Sequence, residues 1–270
     1  MSAKFNEVIP ILPDSPRQKV AREGMILRVL AGSGVHGTSI EGTDDRDEMG
    51  VWLEHPRQVL GSVNTKTYTW RTKPEGVCSG PGDLDFVAYN LRHYVDLVAQ
   101  GNPTMQLPLF VPQEHVLFAN QWGRSLRENR HLFLSRSNGF KYAGYLRSQR
   151  EGLLGLRSGG TRNQGRADIR EQYGFDTKFA GHMVRLGVQG VELLKTGSIT
   201  LPIPEPDLTW IRDLRVGKYT KQEALGRAEA LEAEIFDLMK SGAGPLPEKP
   251  DYQKIDAWVI DTLKKYWGWC

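Results

Sequence analysis

Hydrophobic and polar positions follow two different patterns along the chain. In the first part, short runs that are apolar or rich in threonine and aromatic residues are bounded by glycine, proline and acidic residues, a pattern typical of β-strands. It predicts four strands, at 25–31, 49–53, 66–72 and 85–89. We therefore expect the first 130 or so residues to contain a small sheet with helices, an α/β arrangement.

Helical spacing of apolar residues dominates from residue 90 onward. Asn90, Asp176, Thr220 and Asp251 each stand immediately before such a segment, and Asn, Asp and Thr are residue types that cap the first turn of a helix. Thr220 is followed three residues later by Glu223, which completes a capping-box signature. The second part of the chain is therefore predicted to be mainly helical.

Composition excludes several classes of protein. With 39% hydrophobic and 25% charged residues and a net charge of +3, the chain is too apolar and too nearly neutral to be disordered. It contains no run of about 18 apolar residues, which a membrane helix needs, and residues 1–10 lack the pattern of a signal peptide. Cys78 and Cys270 are far apart in sequence and suggest neither a disulfide framework nor a metal-ligand pair. The cytoplasm is the expected location.

The charge distribution is uneven. Residues 136–185 contain ten Lys or Arg and four Asp or Glu, a balance of +6, whereas an acidic cluster lies in the first half of the chain. This asymmetry suits a polyanionic ligand with a cation between the ligand and the acidic cluster. A solvated basic surface explains the same charges equally well.

A glycine-serine pair and two aspartates carry the most specific chemical signal. Gly32-Ser33 ends the first apolar strand, and Asp45 and Asp47 stand directly before the second. Carboxylates at positions i and i+2 of a strand point to the same side, and two such charges favour a divalent cation between them. A strand that ends in Gly-Ser offers backbone N–H groups and a hydroxyl to a phosphate. The pattern predicts a metal–triphosphate site, although ordinary turn chemistry also accounts for the aspartates.

These residues resemble the DNA polymerase beta-like nucleotidyltransferase superfamily, in which a Gly-Ser pair, an Asp-x-Asp pair and a third strand-borne aspartate recur. The likeness extends to its uncharacterised bacterial and phage branch, which is predicted to act in RNA repair. It covers about residues 28–197 and includes four further segments: 85–92, 101–103, 173–178 with His182 and Arg185, and 192–197.

The resemblance implies an α+β protein with a nucleotidyltransferase fold, in which a short mixed β-sheet has flanking helices. A catalytic domain would occupy residues 1–135 and a helical domain that closes the nucleotide cleft would occupy residues 136–270. The implied reaction transfers a nucleoside monophosphate from an NTP, such as ATP, to an acceptor hydroxyl and releases pyrophosphate.

The same resemblance assigns roles to particular residues. Gly32 and Ser33 would grip the triphosphate, and Asp45, Asp47 and Asp85 would bind two Mg²⁺ ions, with Mn²⁺ as an alternative. Asp85, rather than Asp83, keeps the family's spacing to later motifs and would also help deprotonate the acceptor.

Two positions depart from the family pattern. Many relatives have Arg or Asn where this chain has Gly34, and many have Tyr where it has His36. Neither change removes a metal ligand, so triphosphate binding and base preference stay open.

The helix predicted after Asp176 carries a polar stripe. Lys178, His182, Arg185 and Gln189 recur at intervals of three to four residues and fall on one face. We expect Lys178, His182 and Arg185 to contact the nucleotide phosphates across the domain boundary, with a solvated basic face as the alternative. Arg71, on the third strand, suits phosphate contact and strand surface equally.

Three functions fit this sequence. RNA is the favoured acceptor, because of the +6 segment and the resemblance. Modification of a protein or a small molecule is the second reading, and a non-catalytic nucleotide-binding or antitoxin-like module is the third. The presence of three carboxylates argues against the non-catalytic module. The sequence leaves the oligomeric state open.

Overall fold

The computed structural model describes residues 16–40, 46–62, 64–73, 82–156 and 167–269. Within these ranges no helix is both long and apolar enough to cross a membrane. The architecture is α+β, as the sequence predicts: one mixed sheet with flanking helices comes first along the chain, and further helices follow.

Five strands of the described chain form one sheet in the spatial order β3-β4-β2-β1-β5. The central pair, β2 and β4, is parallel, and the other neighbours are antiparallel. Side chains alternate between the two faces of each strand, and in β4 they alternate strictly between buried and half-buried. The strands are β1 (Met25–Leu30), β2 (Arg46–Trp52), β3 (Thr67–Arg71), β4 (Leu84–Asn90) and β5 (Val116–Ala119).

Helices surround the sheet and make up most of the chain after it. The predicted caps are confirmed: the side chains of Asn90, Asp176, Thr220 and Asp251 each accept a hydrogen bond from a backbone N–H three residues on. The helices of the first part are α1 (Pro16–Glu23), α2 (Gly32–His36), α3 (Pro56–Leu60), α4 (Leu91–Ala99), α5 (Pro103–Phe110) and α6 (Gln121–Glu128). Those of the second part are α7 (Asn138–Leu153), α8 (Ala167–Tyr173), α9 (Thr177–Thr196), α10 (Asp207–Arg215), α11 (Lys221–Ser241) and α12 (Tyr252–Trp267).

A continuous apolar core joins the sheet to the helices. One cluster of buried side chains extends from Ile26 on β1 to Leu263 on α12. Helix α9 lies at its centre, because it packs against α7, α10 and α11. The separation into domains at 1–135 and 136–270 stays a prediction.

Three local predictions are corrected by the structure. Strand β2 begins at Arg46 rather than at Met49, so Asp47 lies within the strand. The glycine-rich stretch after β1 forms the short helix α2. Strand β5 was not predicted, because four residues after a 3₁₀ turn give too short an alternation to recognise.

Candidate active site

A row of charged side chains crosses the sheet at one level. Asp47 on β2 is in register with Asp85 on β4, and Asp85 is in register with Arg71 on β3. Because neighbours in register point to the same face of a sheet, the two carboxylates lie side by side. Arg71 Nε donates a hydrogen bond to Asp85 Oδ1 at 2.8 Å, which orients one edge of that carboxylate.

Gly32 places Asp47 against the turn that follows β1. Ala31 N donates to the carbonyl of Asp47 at 2.9 Å, which ties the end of β1 to β2. Gly32 has a positive φ of 75°, and a Cβ atom at this position would lie 2.2 Å from Asp47 Oδ2. The carboxylate thus occupies space that any other residue at position 32 would fill.

A cleft of about 440 Å³ opens above this row. Its lining comes from the sheet, with Asp47 and Asp85, from helix α2, and from helices α5, α9 and α10. This volume falls in the range of small-ligand pockets. Of the residues predicted for nucleotide or metal binding, the cleft is lined by Gly32, Ser33, Asp47, Arg71, Asp85, Lys178, His182 and Arg185.

Three side chains hold the guanidinium of Arg185 at the cleft. Its Nη1 donates to His36 Nε2 at 2.8 Å and to Gln189 Oε1 at 2.9 Å, and its Nη2 donates to His182 Nε2 at 2.7 Å. All three acceptors are uncharged when the histidines are neutral. In the described part of the chain, no carboxylate forms an ion pair with Arg185.

Burial lowers the pKa values of Arg185 and His36. Desolvation lowers the pKa of Arg185 to about 10, which leaves the guanidinium charged at neutral pH. Burial, and then the charges of Arg185 and His182, hold the pKa of the His36 imidazole well below its usual range. His36 is therefore neutral and able to accept a hydrogen bond from Arg185.

The polar stripe on α9 is only in part a solvent-exposed face. Lys178 and His182 are exposed at the cleft, but Arg185 is half-buried and Gln189 is 1% exposed. The alternative of a solvated basic surface is therefore wrong for Arg185 and Gln189. A charge pattern alone does not show this, because burial depends on what packs over the helix.

Asp45 lies outside the described residues, as does most of the loop before β2. Among the residues that the structure does describe, there is no group of three His, Cys, Asp or Glu side chains able to hold a metal ion. Asp47 and Asp85 are the two predicted metal ligands that it brings together.

The cleft also contains residues that the sequence does not single out, among them Thr38, Thr104 and Arg215. Arg212 Nε donates to the Gly37 carbonyl at 2.7 Å, and Arg215 Nη1 donates to the Thr38 carbonyl. These contacts join residues about 175 positions apart, and no local pattern carries a signal for them. They fix the segment after α2 to helix α10.

Comparison with known proteins identifies the family of the chain. The model of a family described as "RlaP: RNA repair pathway DNA polymerase beta family" matches residues 15–261. The search of curated proteins finds no match. A crystal structure of a nucleotidyltransferase-like protein from Exiguobacterium sibiricum is similar at 11% identity, with 83% of this chain and 71% of that chain covered, but its TM-score of 0.29 is too low to support an inference. The family match confirms the resemblance seen in the sequence. The chain belongs to the RNA repair pathway DNA polymerase beta family and is a nucleotidyltransferase.

Proposed function

We propose that this protein transfers a nucleoside monophosphate from an NTP to an RNA hydroxyl and releases pyrophosphate. The single observation that carries the proposal is the register of Asp47 and Asp85, which places two carboxylates side by side in the cleft. Cations of α9 line the same cleft. A triphosphate needs both: a divalent ion held by carboxylates, and positive side chains for its remaining charge.

The donor set fits a hard divalent cation. Asp47 and Asp85 offer only carboxylate oxygens, which are the ligands that Mg²⁺ prefers. Two adjacent carboxylates repel each other unless a cation lies between them. With Asp45 as third ligand, these residues would hold two Mg²⁺ ions or, alternatively, Mn²⁺. When bound, the ions would lower the pKa of the acceptor hydroxyl and offset charge on the leaving pyrophosphate.

The chain's own residues orient the reactants. Ser33 contacts the phosphates from α2 and Arg185 contacts them from α9, and Lys178 adds a second charge from α9. Asp85, with one edge held by Arg71, accepts the proton of the acceptor hydroxyl. The hydroxyl oxygen forms a bond to the α-phosphorus, the bond from that phosphorus to the bridging oxygen breaks, and pyrophosphate leaves.

Two observations support RNA as the acceptor. The family that the chain belongs to is described as an RNA repair family. The segment 136–185, with its balance of +6, includes Lys178 and Arg185 in the cleft wall, and positive charge beside an active site favours a nucleic-acid substrate.

The test supplies the purified protein with Mg²⁺ and each of four α-labelled NTPs. Total RNA is the acceptor in one set, and RNA-free protein and metabolite extract is the acceptor in the other. We expect label in RNA. Label only in the extract would replace RNA by a protein or small-molecule acceptor, and folded protein that neither transfers label nor binds NTP would overturn the proposal.

The Asp47→Asn and Asp85→Asn variants test the two carboxylates. Loss of a metal ligand removes several kcal/mol of charge stabilisation, so transfer should fall by about a thousandfold or more. Asp83→Asn is the matched control, because Asp83 accepts from Thr72 Oγ1 at the entry to β4 and does not line the cleft. Undiminished transfer by a folded Asp47→Asn protein would contradict the assignment.

A further inference from the structure

We propose that His36 is a positioning residue that fixes the Arg185 guanidinium relative to Ser33, so that one phosphate group meets both. The proposal rests on the function proposed above, in which Ser33 and Arg185 contact the NTP. His36 lies one helical turn after Ser33 on α2, and positions i and i+3 share a helix face. Its side chain therefore extends from the Ser33 side of the cleft to helix α9.

The contacts of His36 are made inside the protein. The residue is 3% exposed, and its ring faces Arg185 and Gln189 of α9. Nε2 accepts from Arg185 Nη1 at 2.8 Å, and Nδ1 lies 3.1 Å from Gln189 Nε2. Gln189 contacts Arg185 as well, through Oε1 at 2.9 Å. With Nε2 accepting, Nδ1 of the neutral ring carries the proton, so Nδ1 and Gln189 Nε2 are in contact without a hydrogen bond. His36 and Gln189 thus each accept from the Arg185 guanidinium and hold it at two points.

Neutral partners orient a guanidinium without cancelling its charge. A carboxylate at these positions would hold Arg185 equally well, but it would compete with a phosphate for the same positive charge. His36, Gln189 and His182 accept hydrogen bonds and add no negative charge. The arrangement leaves the full charge of Arg185 available to a phosphate in the cleft.

The groups around His36 favour its neutral, accepting form. Arg185 faces it from α9, as does His182, which itself accepts from Arg185; Arg212 and Arg215 of α10 donate to the carbonyls of the next two residues. These neighbours are cationic or neutral, and a second positive charge on His36 would be repelled by them.

The backbone of His36 is fixed independently of its side chain. Its carbonyl accepts from Ile203 N at 3.2 Å, and Arg212 holds the carbonyl of Gly37. A change of the imidazole alone should therefore leave α2 in place, so that its effect on Arg185 can be measured in a folded protein.

The test compares two substitutions of similar volume. His36→Gln keeps a neutral acceptor near Nε2, whereas His36→Leu removes it. The expected result is MgATP binding that is about tenfold to a hundredfold weaker in His36→Leu, since a charge-assisted hydrogen bond is lost, and near normal in His36→Gln. Isothermal calorimetry measures the Kd, and His131→Leu, an exposed histidine outside the cleft, is the control.

A double-mutant cycle separates positioning from general structure. If His36 acts through Arg185, His36→Leu has no further effect on MgATP affinity in an Arg185→Ala background. Should His36→Leu fail to fold, Gln189→Leu takes its place in the same cycle, because Gln189 holds the same guanidinium. Additive losses, or an unchanged Kd in folded His36→Leu, would overturn the positioning role. If the wild-type protein prefers another NTP, that NTP replaces ATP in these measurements. Wild-type protein that binds none of the four NTPs with Mg²⁺ would instead overturn the proposed function itself.

Discussion

At the scale of single residues, the lack of a side chain at Gly32 leaves the space that the Asp47 carboxylate occupies. A methyl group there meets the Asp47 carboxylate at 2.2 Å, and φ of 75° strains any other residue. We expect Gly32→Ala to lower the free energy of unfolding by about 1–2 kcal/mol and to remove most nucleotidyl transfer, because the carboxylate must turn away. Urea unfolding and the labelled-NTP assay measure the two effects.

Gly34, on the same helix, is the matched control. A Cβ there would meet nothing within 4 Å, and its φ is not positive. Gly34→Ala should therefore stabilise the protein by about 0.5–1 kcal/mol through helix propensity and leave transfer intact. Equal activity in the two alanine variants would show that the contact between Gly32 and Asp47 does not determine the position of the Asp47 carboxylate.

Residue types in the site were predictable, but their partners were not. Strand ends and carboxylate spacing leave a local trace in the sequence that indicates the Gly-Ser pair and Asp47, and the resemblance to the superfamily adds Asp85. His36 was noted only as a departure from relatives. Its contact with Arg185 joins residues 149 positions apart, and such a pair has no local period that could reveal it.

At the scale of elements, the start of α9 controls one wall of the cleft. Asp176 Oδ1 accepts from Phe179 N at 2.9 Å and closes the first turn, which carries Lys178. Asp176→Ala should cost about 1 kcal/mol of stability and weaken NTP binding a few fold, because Lys178 loses its fixed backbone. Chemical denaturation measures the loss of stability, and calorimetry with MgATP measures the loss of affinity.

Asp251 offers a cap of the same type away from the cleft. Its Oδ1 accepts from Lys254 N at 3.2 Å at the start of α12. Asp251→Ala should cost a similar amount of stability and leave the affinity for MgATP unchanged. If both alanine variants weakened MgATP binding equally, the effect would come from lost stability rather than from Lys178.

Caps and long helices were the elements that the sequence predicted best. A cap depends on a side chain and a backbone N–H three residues later, so its whole cause lies in one short segment. Strand β5 and helix α2 depend on distant partners: β5 is completed by pairing with β1, and α2 is held by α9 and α10. Short elements of this kind gain their stability from tertiary contacts, which the local sequence does not contain.

At the scale of the whole molecule, the sheet and the later helices share one interior. Gln106 Nε2 donates to Asn138 Oδ1 at 3.2 Å, and Tyr142 Oη donates to Gln106 Oε1 at 2.9 Å, all among buried residues on either side of position 135. Trp267 Nε1 of α12 donates to the carbonyl of Glu54 at 2.8 Å. The boundary at 135 followed from composition and resemblance, and neither reports how two parts of a chain pack together.

Nucleotide binding should therefore stabilise the molecule as one unit. The proposed ligands come from both parts, with Ser33, Asp47 and Asp85 from the first part of the chain and Lys178 and Arg185 from the second. MgATP at a hundred times its Kd should add about 2.7 kcal/mol, which raises the Tm of a chain this size by about 5 °C. Differential scanning calorimetry should show one transition that moves as a whole, because a single apolar core spans β1 to α12.

The Asp47→Asn protein is the control for this shift. It should unfold near the wild-type Tm without ligand and lose most of the rise in Tm with MgATP, since Asp47 is one of the residues that would hold the divalent ion. Two separate transitions, of which MgATP moves only one, would instead favour two independent domains and place the whole nucleotide site in one of them. That outcome would remove α9 from the proposed binding site, because its cations would then contribute nothing to the affinity.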